Sequence, residues 1–95
     1  MGWTKHPGTV NSYRNARSQA YADIKKLSKR LRVELEDPSD IHGAELYSLA
    51  YALHSELRRF VWFRRAVGGH EWVDTRPFVN LLLESFPQFK WSVHV

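Results

Sequence analysis

The residues with which this chain could do chemistry are few in type: five histidines, ten acidic and fourteen basic side chains, and no cysteine. The missing cysteines exclude a thiol nucleophile, disulfides and thiolate-ligated zinc. His70-Glu71 is not followed by a second histidine four residues on, so the helical zinc-protease pattern is absent. Gly68-Gly69 lacks both the glycine spacing and the Lys-Ser/Thr pair of a phosphate-binding loop, and reads as the end of a helix. His42 and His54 are twelve residues apart, about 18 Å along a helix, too far to share a metal. His70, Glu71 and Asp74 could hold an ion opportunistically, but solvated or structural roles suit them much better. Glu45 and Glu56 have similar azimuths on one helix but stand about 16 Å apart, so they do not make an acid–base pair. The expectation is a non-catalytic protein with no metal and no cofactor.

What remains is binding. Arg14, Arg17, Tyr21, Lys25, Lys29 and Arg32 recur at helical spacing and form a basic stripe with one tyrosine in it. Such a strip can follow a phosphate backbone, each contact releasing counterions, while the tyrosine stacks on a base or sugar. The alternative is a solvated face with Tyr21 covering the edge of the core. A second stripe interleaves Tyr47, Tyr51, Arg58, Trp62 and Arg65, with His54 alongside. Rings and guanidinium groups in alternation suit base stacking, cation–π contacts and protein interfaces. For the tyrosines, burial against a neighbouring helix is the simpler expectation.

The elements that must position these groups follow from apolar spacing. The stretch from Ser39 to Gly69 organises the rest: Leu46, Leu49, Leu53, Leu57 and Phe60 line one helical face between Pro38-Ser39-Asp40 and Gly68-Gly69. Gly43 marks either a close crossing or a weakened first turn. An earlier helix is predicted from Asn11 or Ser12 to about Glu36, with Tyr13, Ala16, Ala20, Ile24, Leu27, Leu31 and Leu35 on its apolar face. A turn at Asp37-Pro38 follows. A third helix is predicted over Phe78 to about Ser85, capped by Asp74 or Thr75 with Pro77 in its first turn, and almost wholly buried. Pro87 ends it. Phe89, Trp91, Val93 and Val95 then alternate with polar residues in the manner of a half-buried strand. That segment could pair with His70–Val73, lie over the bundle, or join another chain's sheet. Packing back on its own domain is the expectation.

At 95 residues the chain has room for one domain. The predicted class is all-α: a small three-helix bundle with an irregular arm over 1–10 and an extended aromatic tail over 88–95. No apolar run approaches a membrane span and the N-terminus lacks the apolar core of a secretory signal, which predicts a cytoplasmic protein with no membrane partner. The formal charge of +4 favours polyanionic partners.

The functional expectation is a non-catalytic nucleic-acid-associated protein, a subunit of a larger ribonucleoprotein or DNA complex. RNA or DNA phosphates would be held by Arg14, Arg17, Lys25, Lys29 and Arg32, with Arg58 and Arg65 as a second contact. The alternative is a phage or mobile-element type of docking module or inhibitor. Trp3, Trp62, Trp72 or Trp91 would then anchor it, and the basic stripe would meet an acidic protein surface. Exposed tryptophans favour docking, and buried ones beside an exposed basic stripe favour nucleic acid. A weaker alternative is a nucleotide clamped by Tyr and Arg between subunits of an oligomer.

Overall fold

The computed structural model describes residues 7–36 and 43–91, with side chains from Val10 onward. Three helices follow in order: α1 over Pro7–Glu36, α2 over Gly43–Val67 and α3 over Arg76–Ser85. The all-α bundle read from the sequence is what the chain adopts. Trp3, the Asp37-Pro38 turn, the Ser39 and Asp40 caps, His42, Val93 and Val95 lie outside the described residues.

α1 begins earlier than Asn11 or Ser12. Pro7 is compatible with a first helical turn, where its missing N–H would have had no partner and its fixed φ is already helical. Residues 7–10, expected to belong to an irregular arm, are therefore helical. α2 starts at Gly43, where no atom of the described residues lies within 4 Å of the place a Cβ would take, so none of the described elements crosses closely there.

α1 and α2 pack as an antiparallel pair. Tyr13 near the start of α1 meets Trp62 and Phe63 near the end of α2, Tyr21 meets Phe60, and Arg30 lies beside Glu45 and Ser48. Ala20, Ile24 and Leu31 of α1 interlock with Ala50, Leu53, Leu57, Phe60 and Val61 of α2, all of them buried. The three–four spacing selects Ala20, Ile24, Leu31, Leu53, Leu57 and Phe60 among them; Ala50 and Val61 are additional, and Leu46 and Leu49 of the same reading are only half-buried. Their burial removes enough apolar surface to hold two long helices together, which neither would sustain alone.

α3 closes the open side of this pair through Leu82, which is fully buried, while Phe78, Val79 and Leu81 are half-buried. The expectation of near-complete burial fails at Leu83, which is 47% exposed. Three consecutive leucines are turned about 100° from one another on a helix, so a single supporting surface cannot cover all of them. The predicted caps divide the work. The Asp74 carboxylate accepts the Arg76 N–H at 3.0 Å, whereas buried Thr75 makes no side-chain cap and offers its carbonyl to the N–H groups of Phe78 and Val79.

After α3 the chain turns at Pro87 and Gln88, with the Phe89 N–H donating to the Phe86 carbonyl at 3.2 Å. The described part of the aromatic tail therefore folds back and is not extended as expected. Phe86 is buried, and Phe89 and Trp91 lie against Tyr47, Tyr51 and His54, with ring centroids 5.1–5.5 Å apart. Trp91 Nε1 donates to the Phe86 carbonyl at 3.1 Å, and Gln88 donates to the Tyr47 hydroxyl at 3.2 Å. The described part of the tail thus packs on its own domain and forms no strand. His70–Val73 makes a turn of its own, closed by Val73 N–H donating to the His70 carbonyl.

The α2–α3 connection is tightly specified. Gly68, Gly69 and His70 all have positive φ, at 73°, 81° and 59°. The Arg17 guanidinium of α1 donates to the Gly68 carbonyl and lies over Gly69, where an added Cβ would come within 2.5 Å of it. Gly69→Ala is therefore expected to destabilise the fold by about 1–2 kcal/mol through the left-handed backbone alone, and more if Arg17 is displaced. Urea denaturation measures this, and an unchanged midpoint would show that the turn relaxes at no cost.

Candidate nucleic-acid interface

The antiparallel pair brings Tyr21 from the middle of α1 over Phe60 of α2, and the α2–α3 turn then delivers His70 and Trp72 to the same place. Tyr21 meets Phe60 at 5.6 Å, His70 at 5.8 Å and Trp72 edge-on at 5.8 Å; His70 stacks on Trp72 at 5.8 Å with planes 28° apart. Phe60 is buried, Tyr21 and His70 are half-buried, and Trp72 is 73% exposed. The four rings form a column from the core to the solvent. His70 backs the outermost indole and keeps it from collapsing onto the surface, which also offsets the cost of a non-glycine residue at positive φ.

Cations surround this column. Lys25 Nζ stands 4.6 Å from the centre of the Tyr21 ring. Arg65 and Arg76 line a cleft of about 580 Å³ with Arg64, Glu71 and Trp72. Arg64 donates to the Val73 carbonyl at 3.0 Å and covers Phe60, and Arg76 is paired with Asp74 at 2.9 Å. Arg65 is exposed. Further along α1, Lys29 and Arg32 are exposed at helical spacing from Lys25, as is Arg14 towards the N-terminus. The basic stripe is on the surface, with one exception. Arg17 is half-buried, its Nε has no hydrogen-bond partner, and its guanidinium is engaged by Gly68, so it serves the fold.

The second stripe divides. Tyr47 and Tyr51 are covered on one side by Phe89 and keep 38% and 48% of their surface, so neither full burial nor a free face describes them. Trp62, 55% exposed, shares a shallow groove with His54, Arg58, Arg59 and Phe63. Burial, and secondarily the charge of Arg58, holds the His54 imidazole below its ordinary pKa. Trp91 is half-buried.

The acidic groups near the column are engaged. Glu71 accepts the Gly69 N–H at 2.6 Å. Its own backbone N–H first, then that of Gly69 and the charges of Arg17 and Arg64, hold its carboxyl below the usual range. Asp74 is held at about 2 by the Arg76 side chain and backbone N–H. Both carboxylates of the His70, Glu71, Asp74 trio thus already have donors, and no three metal-ligating side chains gather among the described residues. No described helix is long and apolar enough to cross a membrane.

Sequence reading placed Tyr21 and Lys25 with nucleic acid and Trp72 with a protein partner; the fold joins them. His70 was read only as an unlikely ligand. The available signal was a tryptophan in a short loop after two glycines, where no core requires one. The chain matches no family model, no curated protein and no solved structure, so the site rests on its own geometry.

Proposed function

We propose that this protein binds single-stranded nucleic acid without catalysis. Bases stack on the Trp72–His70–Tyr21 column, and Lys25, Lys29, Arg32, Arg14 and Arg65 hold the phosphates. The observation that carries the reading is the exposed, ring-backed Trp72, which meets the Tyr21 ring that Lys25 covers and shares a cleft with Arg65. Stacking on an exposed ring tolerates any base, and the cations supply affinity without sequence readout. The sites fit a subunit of a larger ribonucleoprotein or DNA complex in a cytoplasmic setting.

The joint replacement Arg14→Gln, Lys25→Gln, Arg32→Gln tests the phosphate contacts. All three side chains are exposed. The slope of log affinity against log salt should flatten by about 2, at roughly 0.7 per contact for a single strand, with the fold retained. An unchanged slope would remove the stripe from the interface.

A second reading is carried by Trp62. Its exposed indole beside Arg58 and Arg59 has the composition of a protein hot spot facing an acidic surface. By the exposure criterion Trp62 and Trp72, 55% and 73% exposed, favour docking, because the nucleic-acid reading expects buried tryptophans beside an exposed basic stripe. Nucleic acid stays the first reading because exposed Trp72 and exposed Arg65 line one cleft, as a base and its phosphate would require.

A further inference from the structure

Resting on that reading, we infer that the turn from Gly68 to Glu71 is a phosphate subsite for the backbone of the strand, occupied here by the protein's own Glu71 carboxylate. The Gly69 N–H points out of the turn and donates to Glu71 Oε1 at 2.6 Å. An oxyanion in that position is what a phosphate would present to the same donor. Successive residues at positive φ turn the backbone so that this amide faces solvent and not a helical carbonyl.

The surroundings carry more positive charge than one carboxylate balances. The guanidinium groups of Arg17 and Arg64 both act on Glu71, and each is fixed through one nitrogen to a main-chain carbonyl, Gly68 for Arg17 and Val73 for Arg64. They are therefore held in place whichever anion occupies the turn. Arg65 lines the adjoining cleft with Glu71 and Trp72. Gly69 is the residue that lets Arg17 lie this close, since a Cβ would displace it.

Glu71 is an exposed side chain on the residue before Trp72, so it can swing away as a strand arrives. It then acts as an internal competitor. It fills the subsite when no strand is bound and lowers affinity for any anion too weakly held to displace it. The bond between Gly69 and Glu71 is replaced by one between Gly69 and a phosphodiester oxygen.

Glu71→Ala vacates the subsite, and Glu84→Ala, at an exposed position on α3, makes the same change in net charge. The first should tighten binding of a labelled oligonucleotide at least about threefold more than the second. Glu71→Gln, which keeps a neutral acceptor for Gly69, should fall between wild type and Glu71→Ala. In amide NMR titrations with inorganic phosphate, the Gly69 resonance should move and saturate in Glu71→Ala and respond much less in wild type. Equal gains from Glu71→Ala and Glu84→Ala would overturn the subsite, as would a Gly69 amide indifferent to phosphate in Glu71→Ala. Saturation with phosphate but no binding of oligonucleotide by any variant would keep the turn as a site for free phosphate and remove the strand.

Discussion

Phe60→Ala should cost about 3–5 kcal/mol, the usual range for emptying a buried aromatic position. Phe60 has no exposed surface and lies under Tyr21, His70 and the Arg64 guanidinium. Deleting the ring removes the floor of the column as well as core volume. The total stability of a domain this size is about 5–14 kcal/mol, and each kcal/mol lowers the melting temperature by about 4–8 °C. The variant should therefore lose between about a fifth and all of its margin, and its melting temperature should fall by about 12–40 °C. Phe60→Leu, which keeps most of the apolar volume, should lose markedly less. Urea denaturation gives both numbers. A loss below about 1 kcal/mol for Phe60→Ala would be out of keeping with an enclosed site and would contradict this packing.

Trp72→Ala should have the opposite profile. The indole is mostly in solvent, so little apolar surface is lost from the core and the denaturation midpoint should barely move. Its effect belongs to binding. Base–aromatic stacking contributes about 1–3 kcal/mol per base, so affinity for a single strand should fall about 5- to 150-fold. Trp72→Phe should recover part of the loss, because it restores a ring for a base and for His70 to stack on. The salt slope should be the same in all three proteins, since no cation has changed. Anisotropy titrations with one oligonucleotide give affinity and slope together. Wild-type affinity in Trp72→Ala would show that the column is not the stacking surface.

The parts of this structure that were legible from sequence are those governed by local periodicity. Leu53, Leu57 and Phe60 mark the buried face of α2, and Ile24 and Leu31 that of α1, because a three–four repeat has one physical use in a long helix. Phe89 and Trp91 were legible as a segment that packs on its own domain, although alternation alone suggested a strand. The rings of Tyr47, Tyr51 and His54 offered a helix surface to lie on, with no sheet edge among the described residues. The start of α1 was misplaced because Pro7 and Gly8 read as breakers, while the first turn of a helix tolerates both.

The functional surface was legible in its parts and not in its assembly. Arg17 has the spacing of the basic stripe, but its partner is Gly68, fifty-one residues away, and no local pattern reports that contact. Tyr21 and Trp72 also come from distant positions and meet only because the helix pair and the glycine turn bring them together. Periodicity predicts which face a residue occupies, not which loop will fold over it. The exposure of Leu83 has the same origin, since the extent of a helix's burial is set by the surface it rests on.

The proposed binding mode lays a single strand across the column and the α1 cations. Its most direct test is fluorescence anisotropy of the wild-type protein with labelled single-stranded RNA, single-stranded DNA and duplex DNA, each titrated across salt. The prediction is micromolar or tighter binding to a single strand, weaker binding to duplex, and a steep fall with salt. No binding to any of the three at low salt would contradict it and leave the exposed tryptophans and arginines as a protein-docking surface.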